Sequence, residues 1–222
     1  MSKKATEVPI FPLPHAVFFP KTALPLHIFE PRYRVMIEDA AKHDKLIAIV
    51  LLKDGWEKDY FGAPAVHDIA CVGKIQKQEK LSDGKYNIVL YGLQRARIVD
   101  FVQEEPYRVA RIEYLHDRLF TDEDFDESSV TEEFVELVQK YLEAIGVQNA
   151  EDILQLRKNS IESIVNQVAS IIDFSSDEKQ TLLELDSLEQ RCEQVKLLLL
   201  DRLRAMRIAS RVKFVPKDPS WN

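Results

Sequence analysis

The chain has 222 residues, 45% hydrophobic and 30% charged, with a net charge of −7. That apolar content excludes a disordered polymer, and the absence of any apolar run near the ~20 residues of a membrane helix excludes a spanning segment of that kind. The charge is uneven: residues 1–118 hold 18 Lys and Arg against 16 Asp and Glu, and residues 119–222 hold 12 against 21. Neither half offers the concentrated basic surface on which nucleic-acid binding by counterion release depends.

At the N-terminus two lysines precede Pro9, Pro12 and Pro14. The prolines interrupt any apolar stretch of secretory type, so the expected location is the cytoplasm. From Val8 to Phe29 five prolines sit among large apolar residues, which forbids helix and predicts short extended pieces at a sheet edge. Pro31 is well placed as a first helical residue, and Tyr33, Met36, Ile37 and Ala40 recur at helical spacing up to about His43.

Strands follow. The continuous apolar run Leu46–Leu52 predicts a central strand covered on both faces. Residues 69–80 alternate, Ser82-Asp-Gly84 turns the chain, and Tyr86–Tyr91 returns it as a hairpin. Gly92 marks a bulge, and Ala96–Phe101 and Tyr107–Tyr114 add two more strands. Sequential antiparallel pairing of these strands would give a small barrel.

Residues 119–129 are acidic and lack both periodicities, as an interdomain linker would. Beyond them, helical patterns run over about 130–144, 160–172, 176–185 and 188–211. Capping signatures stand at Asn159-x-x-Glu162, Ser175-x-x-Glu178 and Ser187-x-x-Gln190. Ile161, Ile164, Val165, Val168, Ile171 and Ile172 share one predicted core face. In the last helix Leu188, Cys192, Val195, Leu199, Leu203 and Met206 form another, with intramolecular packing expected over a coiled-coil partner. The expected division is a β-rich domain over 1–118, the linker, a helical domain over 130–215 and a tail over 216–222.

No catalytic motif is present: no phosphate loop, no dinucleotide turn, no zincin helix and no nucleophile elbow. The five histidines lack the mutual spacing of a local metal chelate. Cys71 and Cys192 read as small buried hydrophobes. What remains is apolar chemistry in unusual places. Trp56, Tyr60 and Phe61 stand on a charged loop between two strands, either as anchors for a partner or as rings folded back over the barrel end. Phe18 and Phe19, with Leu24 and Leu26, stand among prolines that interrupt sheet pairing, either in the core or as an apolar rim.

Several of these segments together resemble the amino-terminal domain of the ATP-dependent protease Lon and its stand-alone bacterial relatives. The resemblance is carried by Pro9-Ile-Phe-Pro-Leu13, Leu24-Pro-Leu-His-Ile-Phe-Glu-Pro-Arg-Tyr-Arg34 and Met36-Ile37. It continues through Val72-Gly-Lys-Ile75, Leu81-Ser-Asp-Gly84, Tyr91-Gly-Leu-Gln-Arg-Ala-Arg-Ile98, Ile164-Val-Asn-Gln-Val-Ala-Ser-Ile-Ile-Asp173 and Ser176–Leu185.

It implies an α+β protein, a PUA-like β-barrel followed by an α-helical bundle. It also implies a non-catalytic role in selecting unfolded or damaged polypeptides, because ATP hydrolysis and peptide cleavage belong to downstream domains of Lon. The expected partners are unfolded or partner polypeptides, a Lon-type protease among them, with no cofactor, metal or membrane. A homo-oligomer stays open, and RNA is the alternative ligand suggested by the barrel type alone. The expected contact residues are Phe18, Phe19, Leu24, Leu26, Trp56, Tyr60 and Phe61.

Overall fold

The computed structural model describes residues 6–60, 62–118, 127–147 and 159–212. Its strands are β1 (Thr6–Leu13), β2 (Ala23–Ile28), β3 (Leu46–Leu51), β4 (Ile69–Lys80), β5 (Tyr86–Gln103) and β6 (Val109–Tyr114). Its α-helices are α1 (Pro31–Lys42), α2 (Glu127–Ala144), α3 (Ile161–Ile171), α4 (Ser176–Glu184) and α5 (Leu188–Val212). The fold is α+β, as expected. Residues 119–126 of the expected linker and 213–222 at the C-terminus lie outside the described residues, and the linker's last three positions, 127–129, are the first residues of α2.

The sheet order is β2-β5-β4-β3-β1-β6, and a further β5–β6 pairing closes five of the strands into a barrel with β2 appended. This departs from sequential antiparallel pairing. β1 lies between β3 and β6, parallel to the former and antiparallel to the latter. A strand with Pro9 and Pro12 is tolerated there because its two halves use different neighbours. Thr6–Pro9 pair with β6 and Ile10–Leu13 with β3, so no stretch needs a full ladder on both sides. The segments around Gly92 join into the single strand β5, and Leu93 bulges out where the β4 register shifts between Val72 and Gly73.

Two apolar clusters divide the interior. Inside the barrel lie Val8, Ile10, Val50, Val72 and Ile112, with Ala48, Ala70, Ala96 and Ala110 small enough to let opposite walls approach. The larger cluster lies outside the barrel wall and runs without a break from Ile47, Ile49 and Cys71, through Tyr33, Met36 and Ile37 of α1, to Phe134, Ile164, Val165, Leu182, Val195 and Leu199 of the helices. The wall and the bundle thus share one core.

On α3 the expected face is buried except at Ile171, which is 54% exposed because the helix ends there and Ile172 takes the inward place. The cap of α3 is Ser160, one residue after the expected Asn159. At Ser175 both halves of the capping box are formed. On α5 the predicted stripe from Leu188 to Leu203 is buried, and Met206 is partly so.

A buried ionic knot fastens bundle to barrel. Arg95 of β5 and Arg191 of α5, 1% and 0% exposed, both hold Asp117 just beyond β6. Arg95 Nε donates to Asp117 Oδ1 at 2.8 Å, and Arg191 Nη1 donates to Oδ2 at 2.8 Å. Arg95 Nη1 also reaches the Leu183 carbonyl, and Arg191 reaches the carbonyls of Leu182 and Leu185 and the amide oxygen of Asn166. Burial alone would raise the Asp117 pKa, but the hydrogen bonds and charges of the two arginines outweigh it and hold the carboxyl below its usual range.

Candidate functional site

β2 is an edge strand. It pairs with β5 from Ala23↔Tyr91 to Ile28↔Tyr86 and has no strand on its other side among the described residues. Pro25 fits such an edge, since it has no N–H to give a neighbour. Leu24 and Leu26 are half-buried, packed against the larger core, while Phe29 at the end of the strand is 58% exposed. His27 shares a 2.8 Å hydrogen bond with Asn87 Oδ1 and stacks on Phe29 with ring centroids 6.3 Å apart.

Across the sheet face, spanning β2, β5 and β4, lies an open groove of about 640 Å³, its apolar lining made by Pro25, Leu26, Ile88 and Val89 and its charged side by Lys77 and Glu79 of β4. Apolar floor, charged border and an unpaired main-chain edge are the features by which a sheet takes up an extended peptide.

The other predicted contact residues fall elsewhere. Phe18 and Phe19 are interior, at 2% and 0% exposure, and present no surface to a partner. The cause is a pair of glycines facing each other across β4 and β5, Gly73↔Gly92. A Cβ on Gly73 would lie 2.6 Å from the Phe18 ring, and one on Gly92 would lie 2.1 Å from the Phe19 carbonyl oxygen. The missing side chains leave a flat bed for the Phe18-Phe-Pro20 segment.

Trp56 begins a single 3-10 turn, Trp56–Asp59, and packs against the cluster inside the barrel. It meets His15 and Tyr60 edge-on, with centroids 5.9 and 5.5 Å away. The Tyr60 hydroxyl donates to Glu30 Oε1 at 2.7 Å, and Arg32 donates to both Glu30 Oε2 and the Tyr60 carbonyl. Its hydrogen bond to Glu30, then burial, raises the Tyr60 pKa. These two rings close over the barrel end, and Phe61 lies outside the described residues. Behind them is a cavity of about 20 Å³ lined by Arg32, Tyr33, Tyr107 and Arg108 among others. It has room for about one water molecule. Burial, chiefly, pushes the Tyr33 phenol up to about 12.

Among the described residues no group of three or more His, Cys, Asp or Glu could hold a metal ion, and no helix is long and apolar enough to cross a membrane. Cys71 and Cys192 are buried free thiols, and burial raises both pKa values, that of Cys192 to about 12.

Sequence reasoning missed Phe29, whose only signal is an aromatic at the end of a proline-interrupted strand. It also missed the partnership of Arg95, Asp117 and Arg191, which no local pattern announces.

A mixed barrel with an appended edge strand, braced by a helical bundle, defines the class of fold. The family model of the ATP-dependent protease La (LON) substrate-binding domain matches residues 7–201, and the chain belongs to that family. It is 28% identical over 211 residues to the Lon protease of Anaeromyxobacter dehalogenans, covering 92% of this chain and 24% of that protein. It is likewise 28% identical to Lon protease 2 of Myxococcus xanthus, covering 92% and 25%. The chain therefore spans about a quarter of the length of these relatives.

Two solved structures share the fold. The N-terminal domain of Mycobacterium avium complex Lon protease aligns with a TM-score of 0.69 at 16% identity, over 88% of this chain and 99% of that one. The Lon N-terminal domain protein from Xanthomonas campestris aligns at 0.61 and 21%, over 86% and 96%.

Proposed function

We propose that this chain is a non-catalytic module that binds exposed apolar segments of unfolded or partner polypeptides, laid in extended form along β2. The observation that carries the reading is an unpaired strand edge with the exposed Phe29 at its end, adjoined by a groove that crosses the sheet face from β2 to β4. Membership of a substrate-binding family supports it. Main-chain hydrogen bonds to the edge would supply affinity for any sequence, and Leu24, Leu26 and Phe29 would favour apolar side chains. Unfolded segments lose entropy on docking, so the affinity is modest and release is fast. The module works in the cytoplasm and hands its clients to a processing machine of the Lon type.

Anisotropy of a fluorescently labelled unfolded polypeptide tests this. Phe29→Asp combined with Leu26→Asp removes two apolar contacts worth roughly 1.5–3 kcal/mol each, so binding should fall by about tenfold or more. Trp56→Ala should leave binding intact, since that ring belongs to the barrel end. Absence of binding by the native chain, or equal binding by the groove variant, would sink the reading.

A further inference from the structure

α5 packs inward through Leu188, Cys192, Val195, Leu199 and Leu203. At 100° per residue, Glu189, Glu193, Leu197, Leu200, Arg204 and Ile208 fall within about 100° of arc, its centre turned about 130° from that of the buried stripe. Leu197 is 55% exposed, Leu200 37% and Ile208 64%. This outward stripe is ordered along the helix: acidic groups come first, leucines stand in the middle, and Arg204 and Arg207 come last. Such a face is complementary to itself when turned end for end.

We propose that this face of α5 joins two copies of the chain in an antiparallel, two-fold dimer. With Leu197 of one copy against Leu200 of the other, Glu193 stands opposite Arg204, Gln190 opposite Arg207 and Glu189 opposite Ile208. The two-fold axis makes each contact twice, so four leucines are enclosed between two pairs of opposite charges. A parallel arrangement would set Glu193 against Glu193 and Arg204 against Arg204, which like-charge repulsion disfavours.

The two charges that pair across the axis, Glu193 and Arg204, can turn outward at little cost. Among the described residues Glu193 pairs with the half-buried Lys196 at 2.8 Å and Arg204 with the exposed Asp201 at 3.1 Å, both three residues away on the same helix, and such short-range pairs near the surface contribute little. A helix of 20 residues from Glu189 to Ile208 is about 30 Å long. One such pair covers less than the roughly 800 Å² per partner of a standard stable interface, so the dimer is weak and reversible.

Sedimentation velocity of the full chain at low salt, from about 5 μM to about 1 mM, spans that regime. The native chain should shift from monomer to dimer, and Leu197→Glu should stay monomeric. Glu193→Arg alone and Arg204→Glu alone should each weaken association by about tenfold or more, with far-ultraviolet circular dichroism unchanged. An equimolar mixture of the two single variants, and the double variant Glu193→Arg/Arg204→Glu, should both recover native association. Recovery by the double variant separates the antiparallel pairing from the parallel one. The proposal is overturned if the native chain remains monomeric throughout, if Leu197→Glu dimerises as well as the native chain, or if the double variant associates no better than the singles.

Discussion

Replacing Asp117 by Asn would remove the largely shielded negative charge that two interior arginines share. Arg95 and Arg191 are 1% and 0% exposed, and the second carboxylate in reach, Asp186, stands 3.9 Å from Arg95 and is itself 60% exposed. Removing one partner of a buried ion pair costs about 3–5 kcal/mol, because the charge left behind is neither solvated nor matched. For a chain of this size that corresponds to a fall in Tm of roughly 6–20 °C.

The pH dependence follows from the depressed Asp117 pKa. A carboxyl held below its unfolded value of about 3.9 contributes stability that is full above that pH and is lost as pH falls through the folded pKa. The gap between native and Asp117→Asn stability should therefore be constant near neutrality and close below about pH 4. Urea unfolding across pH, followed by tryptophan fluorescence, measures both. In an Arg191→Met background the Asn substitution should cost less than it does alone, since one of the stranded charges is already gone. A neutral-pH loss under about 1 kcal/mol, or strict additivity with Arg191→Met, would refute the account of the knot.

Three further substitutions test the barrel and the loop at its end. Gly92→Ala pushes a methyl against the Phe19 carbonyl and should cost about 3 kcal/mol in urea melts. Gly55→Ala, with nothing within 4 Å and only its φ of +86° to strain, should cost about 1 kcal/mol. Tyr60→Phe deletes the hydrogen bond to Glu30 and should lower global stability by no more than about 1 kcal/mol while speeding tryptic cleavage after Lys53 and Lys58. Unchanged cleavage would mean that the phenol does not hold the loop.

Elements defined by local chemistry were legible in the sequence. Pro31 and the spacing of Tyr33, Met36, Ile37 and Ala40 gave α1 and its buried face, and Ser82-Asp-Gly84 gave the hairpin, whose Gly84 has a φ of +79°. Ser175 with Glu178 located the start of α4. Strand order was not legible, because nothing in the prolines of β1 says which strand takes each half.

Arg95 was hidden by parity. Tyr86, Ile88 and Leu90 are buried at even positions, and continuing that alternation sends Arg95 to solvent. The bulge at Leu93 shifts the phase by one, pairs Arg95 with Cys71 and turns it toward the helices. Of the expected contact residues, Leu24 and Leu26 line the edge. The fate of Phe18 and Phe19 depended on two glycines some 55 and 73 positions further along, a relation that only the fold creates.

The closure of the barrel has a consequence for a chain emerging from the ribosome. Val8 cannot meet Ala110 until more than a hundred further residues have been made, and the outer wall of Ile47, Ile49 and Cys71 has only α1 to share its cluster until the later helices arrive. Folding is therefore postponed nearly to the end of synthesis of these residues, and the unfinished barrel must spend that interval with greasy staves in the open. A shortened version that stops after β6 would keep every strand and still be insoluble, because its wall was shaped to lie against helices it no longer has.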